Sequence, residues 1–139
     1  MSRRNMRTIL LEPHPQTHAQ LSALIAGVPR VVADNTAACP SRLDATNVTF
    51  YTLPFGNSSS TSSHGGSLRS QFASMSLDHV AKHAKAFRRS SRAIQALQVP
   101  CYSLPSILRR HGVADGEVRI VTVDAEGSDL DILEDAHCK

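Results

Sequence analysis

Two acidic residues lie two positions apart near the carboxyl end of the chain, in a setting typical of a ligand-binding sheet. The β-branched run 120–123 is followed by Asp124, Ala125, Glu126 and Gly127, and then by the apolar spacing of an amphipathic helix. On a strand, residues two apart share a face, and glycine lets the backbone turn sharply. Open α/β sheets bind ligands at the carboxyl ends of their strands. The pattern therefore predicts acidic side chains presented at such an edge.

A second acid follows an apolar run near the amino end. The run Thr8–Leu11 leads into Glu12, Pro13, His14 and Pro15. Because proline disfavours helix at the residue before it, Glu12 and His14 are expected to be extended, and a helix can begin only near Pro15. Taken alone, Glu12 could be a solvated acid at a turn. Asp124 could likewise be a turn acid, and Glu126 an acid favoured at a helix start by the helix dipole.

These two segments together resemble the FkbM-type methyltransferase family. In that family one hydrophobic strand ends in Glu-Pro-Asn-Pro, and a later strand reads roughly Leu-Lys-Ile-Asp-Val-Glu-Gly before a helix. The resemblance extends from about Thr8 to Ala136 and is closest at its two ends. It implies a Rossmann-like fold and an S-adenosylmethionine-dependent O-methyltransferase that acts on a small-molecule or glycan hydroxyl.

The resemblance also implies site residues. Glu12 would accept hydrogen bonds from the cofactor ribose, as acids at the second strand of Rossmann-like folds do. Asp124 and Glu126 would line the cleft between cofactor and acceptor and take the catalytic positions, where a carboxylate could bind the methionine ammonium or the acceptor proton. The cofactor-binding set is Glu12, Pro13, Asn35, Ala37 and Asp124.

The chain departs from the family pattern at several positions. Thr122 replaces the usual lysine, Ser128-Asp129 replaces Ala-Glu, and Asp135 replaces a glycine. No Gly-x-Gly precedes Glu12, although the family has a glycine-rich first strand and loop there. A second hypothesis is therefore a truncated or degenerate copy without turnover, which would bind S-adenosylmethionine weakly. A third is a small basic nucleic-acid-binding module, to which the basic segment Leu77–Leu97 would contribute.

No metal site is expected. His79 and His83 have the i, i+4 spacing that places two imidazoles on one helical face, but Val80 stands where a zincin has its catalytic glutamate. Seven histidines make one such spacing expected by chance. The basic residues Lys82, Lys85, Arg88, Arg89 and Arg92 lack the aromatic platform that accompanies single-stranded nucleic-acid binding, so nucleic acid is not the expected partner.

The surrounding pattern predicts an α/β fold with an incomplete Rossmann-like methyltransferase sheet and an antiparallel hairpin excursion. Strands are expected at Thr8–Leu11, Arg30–Ala38, Asn47–Leu53, Val99–Tyr102 and Val118–Asp124, with the first and last parallel in one sheet. Helices are expected after Pro15, with Leu21, Leu24 and Ile25 on one face, and over Leu77–Leu97. Two more are expected after Ser103, with Leu104, Ile107 and Leu108 inward, and after Ser128, with Leu130, Leu133 and Ala136 inward.

Composition sets the remaining expectations. The 139 residues carry a formal charge of +3, no tryptophan and three cysteines without paired spacing. These features favour one domain with an aliphatic core, in a reduced intracellular compartment rather than with a disulfide framework. Residues 1–7 are expected to be unstructured, 8–136 to form the partial domain, and 57–76 to be a flexible Ser/Gly-rich loop. With neither an apolar signal region nor a membrane span, a cytoplasmic protein is expected.

Overall fold

The computed structural model describes residues 6–53, 73–86, 90–114, 116–125 and 127–137. These residues form a mixed α/β fold. The strands are β1 (Thr8–Leu11), β2 (Val31–Asp34), β3 (Ala37–Ala38), β4 (Thr46–Thr52), β5 (Ala73–Ser74) and β6 (Gln95–Tyr102). The helices are α1 (Pro15–Leu24), α2 (Leu77–Ala86), α3 (Leu104–Arg110) and α4 (Asp129–His137), with short 3-10 turns at Ser41–Leu43 and Ser91–Ala93.

Within the described residues the strands form two sheets. Strands β1 and β2 are parallel, with Leu11 opposite Asp34. The second sheet has the order β3-β6-β4-β5, in which β3 is parallel to β6 and the other neighbours are antiparallel. The long pairing of β4 with β6 confirms the predicted antiparallel strand over Asn47–Leu53. The predicted strand over Arg30–Ala38 is divided between the two sheets, since β2 belongs to one and β3 to the other.

Local sequence signals predicted two helix starts correctly. Helix α1 begins at Pro15, and the extended His14 accepts a hydrogen bond from the Thr17 N–H at its Nδ1 atom, 3.5 Å away. Helix α3 follows Ser103, whose hydroxyl accepts from the Ser106 N–H. Its predicted inner face is confirmed, because Ile107 is buried and its two apolar companions are half-buried. A proline in the first turn and a side-chain acceptor before it both favour helix initiation.

The second sheet is packed on both faces. On one face a buried cluster contains Ala37, Cys39, Val99 and Cys101, with Val48 and Phe50 among the residues packed against it. On the other, Leu53 packs with Val80 and Ala84 of helix α2. Val48 and Phe50 thus lie opposite Leu53, as an alternation of two residues requires.

Several sequence predictions are wrong. The helix expected over Leu77–Leu97 ends at Ala86, and Leu97 lies in strand β6. The strand expected over Val118–Asp124 is absent, so its pairing parallel to β1 is not formed. Strand propensity depends on a neighbouring strand with which to pair, and the described residues supply none to this segment. Strand β5 falls inside the loop expected over 57–76, whose residues 57–72 lie outside the described part of the chain.

Two leucines on the apolar faces predicted for helices are exposed, and the one in α4 was expected to point inward. Leu24 of α1 is 80% exposed and Leu130 of α4 is 73% exposed, whereas Ile132 is buried in α4. Helix α1 has no buried residue because, within the described residues, the adjoining sheet has two strands, which leaves little surface to cover the helix.

The cysteine prediction is wrong as well. Cys39 and Cys101 form a disulfide, with Cα atoms 5.9 Å apart and 62 residues of sequence separation. The chain pattern gave no sign of it because the parallel pairing of β3 with β6 brings the two residues together. Both cysteines are buried.

Candidate functional site

The carboxyl end of the β1–β2 pair carries the first acid singled out in the sequence. The Glu12 N–H donates to the Asp34 carbonyl oxygen at 3.0 Å, which extends the strand pairing by one residue. The Glu12 carboxylate then turns back, and its Oε1 atom accepts from the His14 N–H at 2.8 Å. No other hydrogen bond to this carboxylate arises from the described residues. One oxygen, Oε2, is therefore available to a ligand.

Burial sets the charge state of this acid. Removal from water raises the pKa of Glu12 above its usual 4.5, while the His14 N–H and the nearby His18 act in the opposite direction. A half-buried carboxylate of this kind gains more from ligand hydrogen bonds than a solvated one, because less water must be displaced to form them.

Asn35 holds the turn in place. Its Nδ2 atom donates to the carbonyl oxygens of Glu12, at 2.8 Å, and Pro13, at 3.1 Å. These bonds satisfy the backbone at a position where two prolines limit local pairing. The structure thus brings together three of the sequence-predicted cofactor residues, Glu12, Pro13 and Asn35. The neighbouring Thr36 is 3% exposed, and within the described part its hydroxyl lacks a hydrogen-bond partner.

The other predicted residues lie elsewhere. Ala37 is 5% exposed and packs in the core beside Cys39, Val99 and Cys101. Asp124 is exposed on a segment outside any strand or helix, and no described hydrogen bond or ion pair joins it to Glu12. Glu126 lies outside the described residues.

Asp129 organises the turn that follows Asp124. Its Oδ1 atom accepts from the Ala125 N–H at 2.8 Å, and its Oδ2 atom accepts from the Gly127 N–H at 3.2 Å. These two backbone bonds hold the pKa of Asp129 below its usual 3.8. The sequence carried a signal for this role, since an acid after a glycine turn is typical of a helix start.

A cluster of ionisable side chains at the end of β2 was not indicated by the sequence pattern. His111 Nε2 lies 2.7 Å from Asp34 Oδ2, and both side chains are largely buried. Arg110 stands 3.9 Å from the same oxygen and over the Tyr102 ring, while Arg7 donates to the His111 carbonyl oxygen. The cluster connects the carboxyl end of α3 to the end of strand β2.

The histidine pair and the basic residues singled out in the sequence lie on helix α2 and in the segment after it. The described residues contain no group of three or more potential metal ligands. The His79 and His83 rings lie 4.6 Å apart between centroids, as neighbours on α2. Lys82, Lys85 and Arg92 are exposed, whereas Arg88 and Arg89 fall outside the described ranges.

Comparison with known proteins identifies the family. A sequence model of the methyltransferase FkbM domain matches residues 2–138, nearly the whole chain. The chain therefore belongs to the FkbM methyltransferase family. No curated protein and no solved structure matches it significantly. In the described part of the chain, no helix has the length and apolar character needed to cross a membrane.

Proposed function

We propose that this chain binds S-adenosylmethionine and directs methyl transfer to a hydroxyl of a small-molecule or glycan acceptor. Family membership supports the reaction class, since FkbM methyltransferases generally depend on this cofactor. The observation that carries the proposal is the position of Glu12. Its half-buried carboxylate follows strand β1 directly and keeps one oxygen for a ligand. This is where an open α/β sheet binds nucleosides.

The residues around Glu12 fit the ribose end of such a cofactor. A carboxylate accepts hydrogen bonds from vicinal hydroxyls, and charged acceptors form stronger bonds than neutral ones. Asn35 and Pro13 keep the acid in place through the turn. The unpartnered Thr36 hydroxyl adds a buried polar group beside Asn35 that a ligand could satisfy. We assign the remaining cofactor contacts to Ala37 and Asp124, and the fold to the Rossmann-like class.

When bound, S-adenosylmethionine would supply an electrophilic methyl group. The contribution of the chain is to hold and align the reactants, which is the main source of rate in such displacements. Asp124 or Glu126 would orient the acceptor hydroxyl or accept its proton. A base in this role must come within roughly 2.6–3.2 Å of the hydroxyl oxygen.

A non-catalytic family member is the second candidate. It is favoured by the exposure of Asp124 on a segment without strand pairing. Such a protein would retain the Glu12 turn but bind S-adenosylmethionine weakly and transfer no methyl group. Binding and transfer must therefore be measured separately.

Binding is tested by calorimetric titration of the whole chain with S-adenosylmethionine and S-adenosylhomocysteine. Glu12→Ala should weaken both affinities by roughly 10- to 100-fold, the equivalent of one charged hydrogen bond. Glu134→Ala, which removes an exposed acid of α4, is the matched control and should leave both affinities unchanged. Equal affinities for all three proteins would place the cofactor away from Glu12, and no binding by the parent would refute the proposal.

Transfer is tested with a radiolabelled methyl group and a panel of hydroxyl-bearing sugars and polyols. Asp124→Ala and Glu126→Ala should each lower turnover more than cofactor affinity if the side chain orients or deprotonates the acceptor. Turnover within twofold of the parent for both variants would remove these acids from the reaction. Weak cofactor binding together with no transfer to any acceptor would favour the non-catalytic candidate.

A further inference from the structure

His14 joins the Glu12 carboxylate to the start of helix α1 through three hydrogen bonds. Its N–H donates to Glu12 Oε1 at 2.8 Å, and its carbonyl oxygen accepts from the His18 N–H at 2.8 Å. Its Nδ1 atom accepts from the Thr17 N–H at 3.5 Å, and the Thr17 hydroxyl oxygen lies 3.4 Å from the same atom. One residue therefore holds both the acid and the first turn of the helix.

The bond to Thr17 requires the neutral form of the His14 imidazole. An acceptor nitrogen has no proton, so the neutral ring carries its proton on Nε2. Protonation adds an N–H at Nδ1, where it faces the Thr17 N–H, and places a charge on a residue that is 6% exposed. The charged ring must therefore leave this position to be solvated, and the bond that caps α1 is lost.

We propose that neutral His14 is a positioning residue of the cofactor site, and that its protonation weakens cofactor binding by releasing the Glu12 carboxylate. The inference rests on the proposed function, in which this carboxylate binds the cofactor ribose. The ring and the N–H that holds Glu12 Oε1 belong to one residue, which lies between Pro13 and Pro15. Because the prolines restrict the backbone, a displacement of the ring shifts the N–H as well.

The ionisable groups near His14 set the direction of the pH dependence. A negative Glu12 favours protonation of His14, and a positive His18, one turn along α1, disfavours it. Asp34 of the adjoining β2 is paired with the basic end of helix α3. Burial lowers the pKa of His14 below its usual 6.5. The neutral form therefore predominates at neutral pH, and cofactor affinity should fall as pH falls through the folded pKa.

The test is calorimetric titration of the whole chain with S-adenosylhomocysteine from about pH 7.5 to pH 5, a range in which the ligand keeps its charges. His14→Asn retains an oxygen acceptor that does not titrate. Each protein being compared with its own affinity at pH 7.5, the parent should lose more than this variant, by up to about tenfold per pH unit below the folded pKa. Protonation of Glu12 affects both proteins, so the difference isolates His14. His18→Asn, the matched control, should retain the parent's loss.

Nuclear magnetic resonance of the ligand-free chain tests the turn itself. The Thr17 amide should shift with pH in step with the His14 imidazole, and should lose this step in His14→Asn. Equal pH losses of affinity in the two proteins, or a Thr17 amide that does not follow the imidazole, would overturn this inference. The proposed function would stand in either case if Glu12→Ala still weakened binding. A parent without affinity at neutral pH would refute the proposed function and this inference together.

Discussion

At the residue scale, the carboxylate of Glu12 lies in a half-buried turn, and this burial disfavours its ionised form. The sequence placed this acid correctly at a strand end, because the two prolines restrict the local backbone to few conformations. It could not indicate the Asp34–His111 contact, whose partners are 77 residues apart. Local restriction can be read from neighbouring residues, whereas a contact between distant residues depends on how the elements pack.

Glu12→Gln should stabilise the protein at neutral pH. Burial raises the pKa of Glu12, so the charged carboxylate disfavours the folded state above the folded pKa. The penalty disappears as pH falls through the folded pKa towards 4.5, the ordinary value. The glutamine oxygen still accepts from the His14 N–H. Urea unfolding across this pH range should show a stability gain at pH 7 that closes on acidification. A Glu12→Gln protein less stable than the parent at pH 7 would contradict the burial argument.

His14 should have the opposite pH dependence. Burial lowers its pKa, so the neutral imidazole is favoured in the folded state, and stability is lost as pH falls from 6.5 towards the folded pKa. His14→Asn retains an oxygen acceptor for the start of α1 but cannot titrate. Thermal unfolding of the two proteins should therefore diverge below pH 6.5, with the variant losing less stability. Parallel curves would show that protonation of His14 is not linked to folding.

His14→Ala should cost about 0.5–2 kcal/mol at neutral pH through loss of the cap.

At the element scale, residues that mark helix starts and the alternation along one strand gave correct predictions, whereas strand propensity alone did not. Proline and serine marked the starts of α1 and α3, and the alternation in β4 predicted its antiparallel pairing. The run 118–123 has strong strand propensity yet remains outside both sheets. High strand propensity favours a strand only where another strand is available for pairing. Whether one is available depends on the whole fold.

Asp44 connects the turn before β4 to the start of α3. Its Oδ1 atom accepts from the Ser103 N–H at 2.7 Å, and its Oδ2 atom from the Ser106 hydroxyl at 2.5 Å. These bonds lower the pKa of Asp44 below 3.8. Asp44→Ala should reduce the free energy of unfolding by about 1–2 kcal/mol at neutral pH, because both donors at the helix start lose a charged acceptor.

The control for Asp44 is an acid whose contact is exposed. Asp131 pairs with Arg42 at 3.1 Å, with both side chains more than half exposed. Asp131→Ala should cost no more than about 0.5 kcal/mol. The contribution of Asp44 is present above pH 3.8 and is lost as pH falls through its lower folded pKa. Equal effects of the two substitutions in urea titrations would show that the Asp44 bonds do not stabilise α3.

At the scale of the whole molecule, both buried clusters pack on the second sheet, and a disulfide joins Cys39, just after β3, to Cys101 of β6. The β1–β2 pair carries the Glu12 site but leaves α1 without a buried residue. The sequence predicted the mixed α/β class, because it contained both strand and helix signals. It did not predict the division into two sheets, which depends on the break between β2 and β3.

Reduction of the Cys39–Cys101 disulfide should destabilise the whole fold. The bond closes a loop with a sequence separation of 62. In the chain-entropy account, releasing a loop of this length costs about 4 kcal/mol, because the unfolded chain regains its freedom. Cys39→Ala with Cys101→Ala should show a similar loss in urea unfolding and become insensitive to reductant, whereas Cys138→Ala should retain the parent's response.

Thiol titration of the denatured, unreduced protein should detect one free cysteine, and detection of three would contradict the disulfide. Since the native pair is buried, folded protein should resist mild reductants, and the loss of stability should appear only once the chain unfolds.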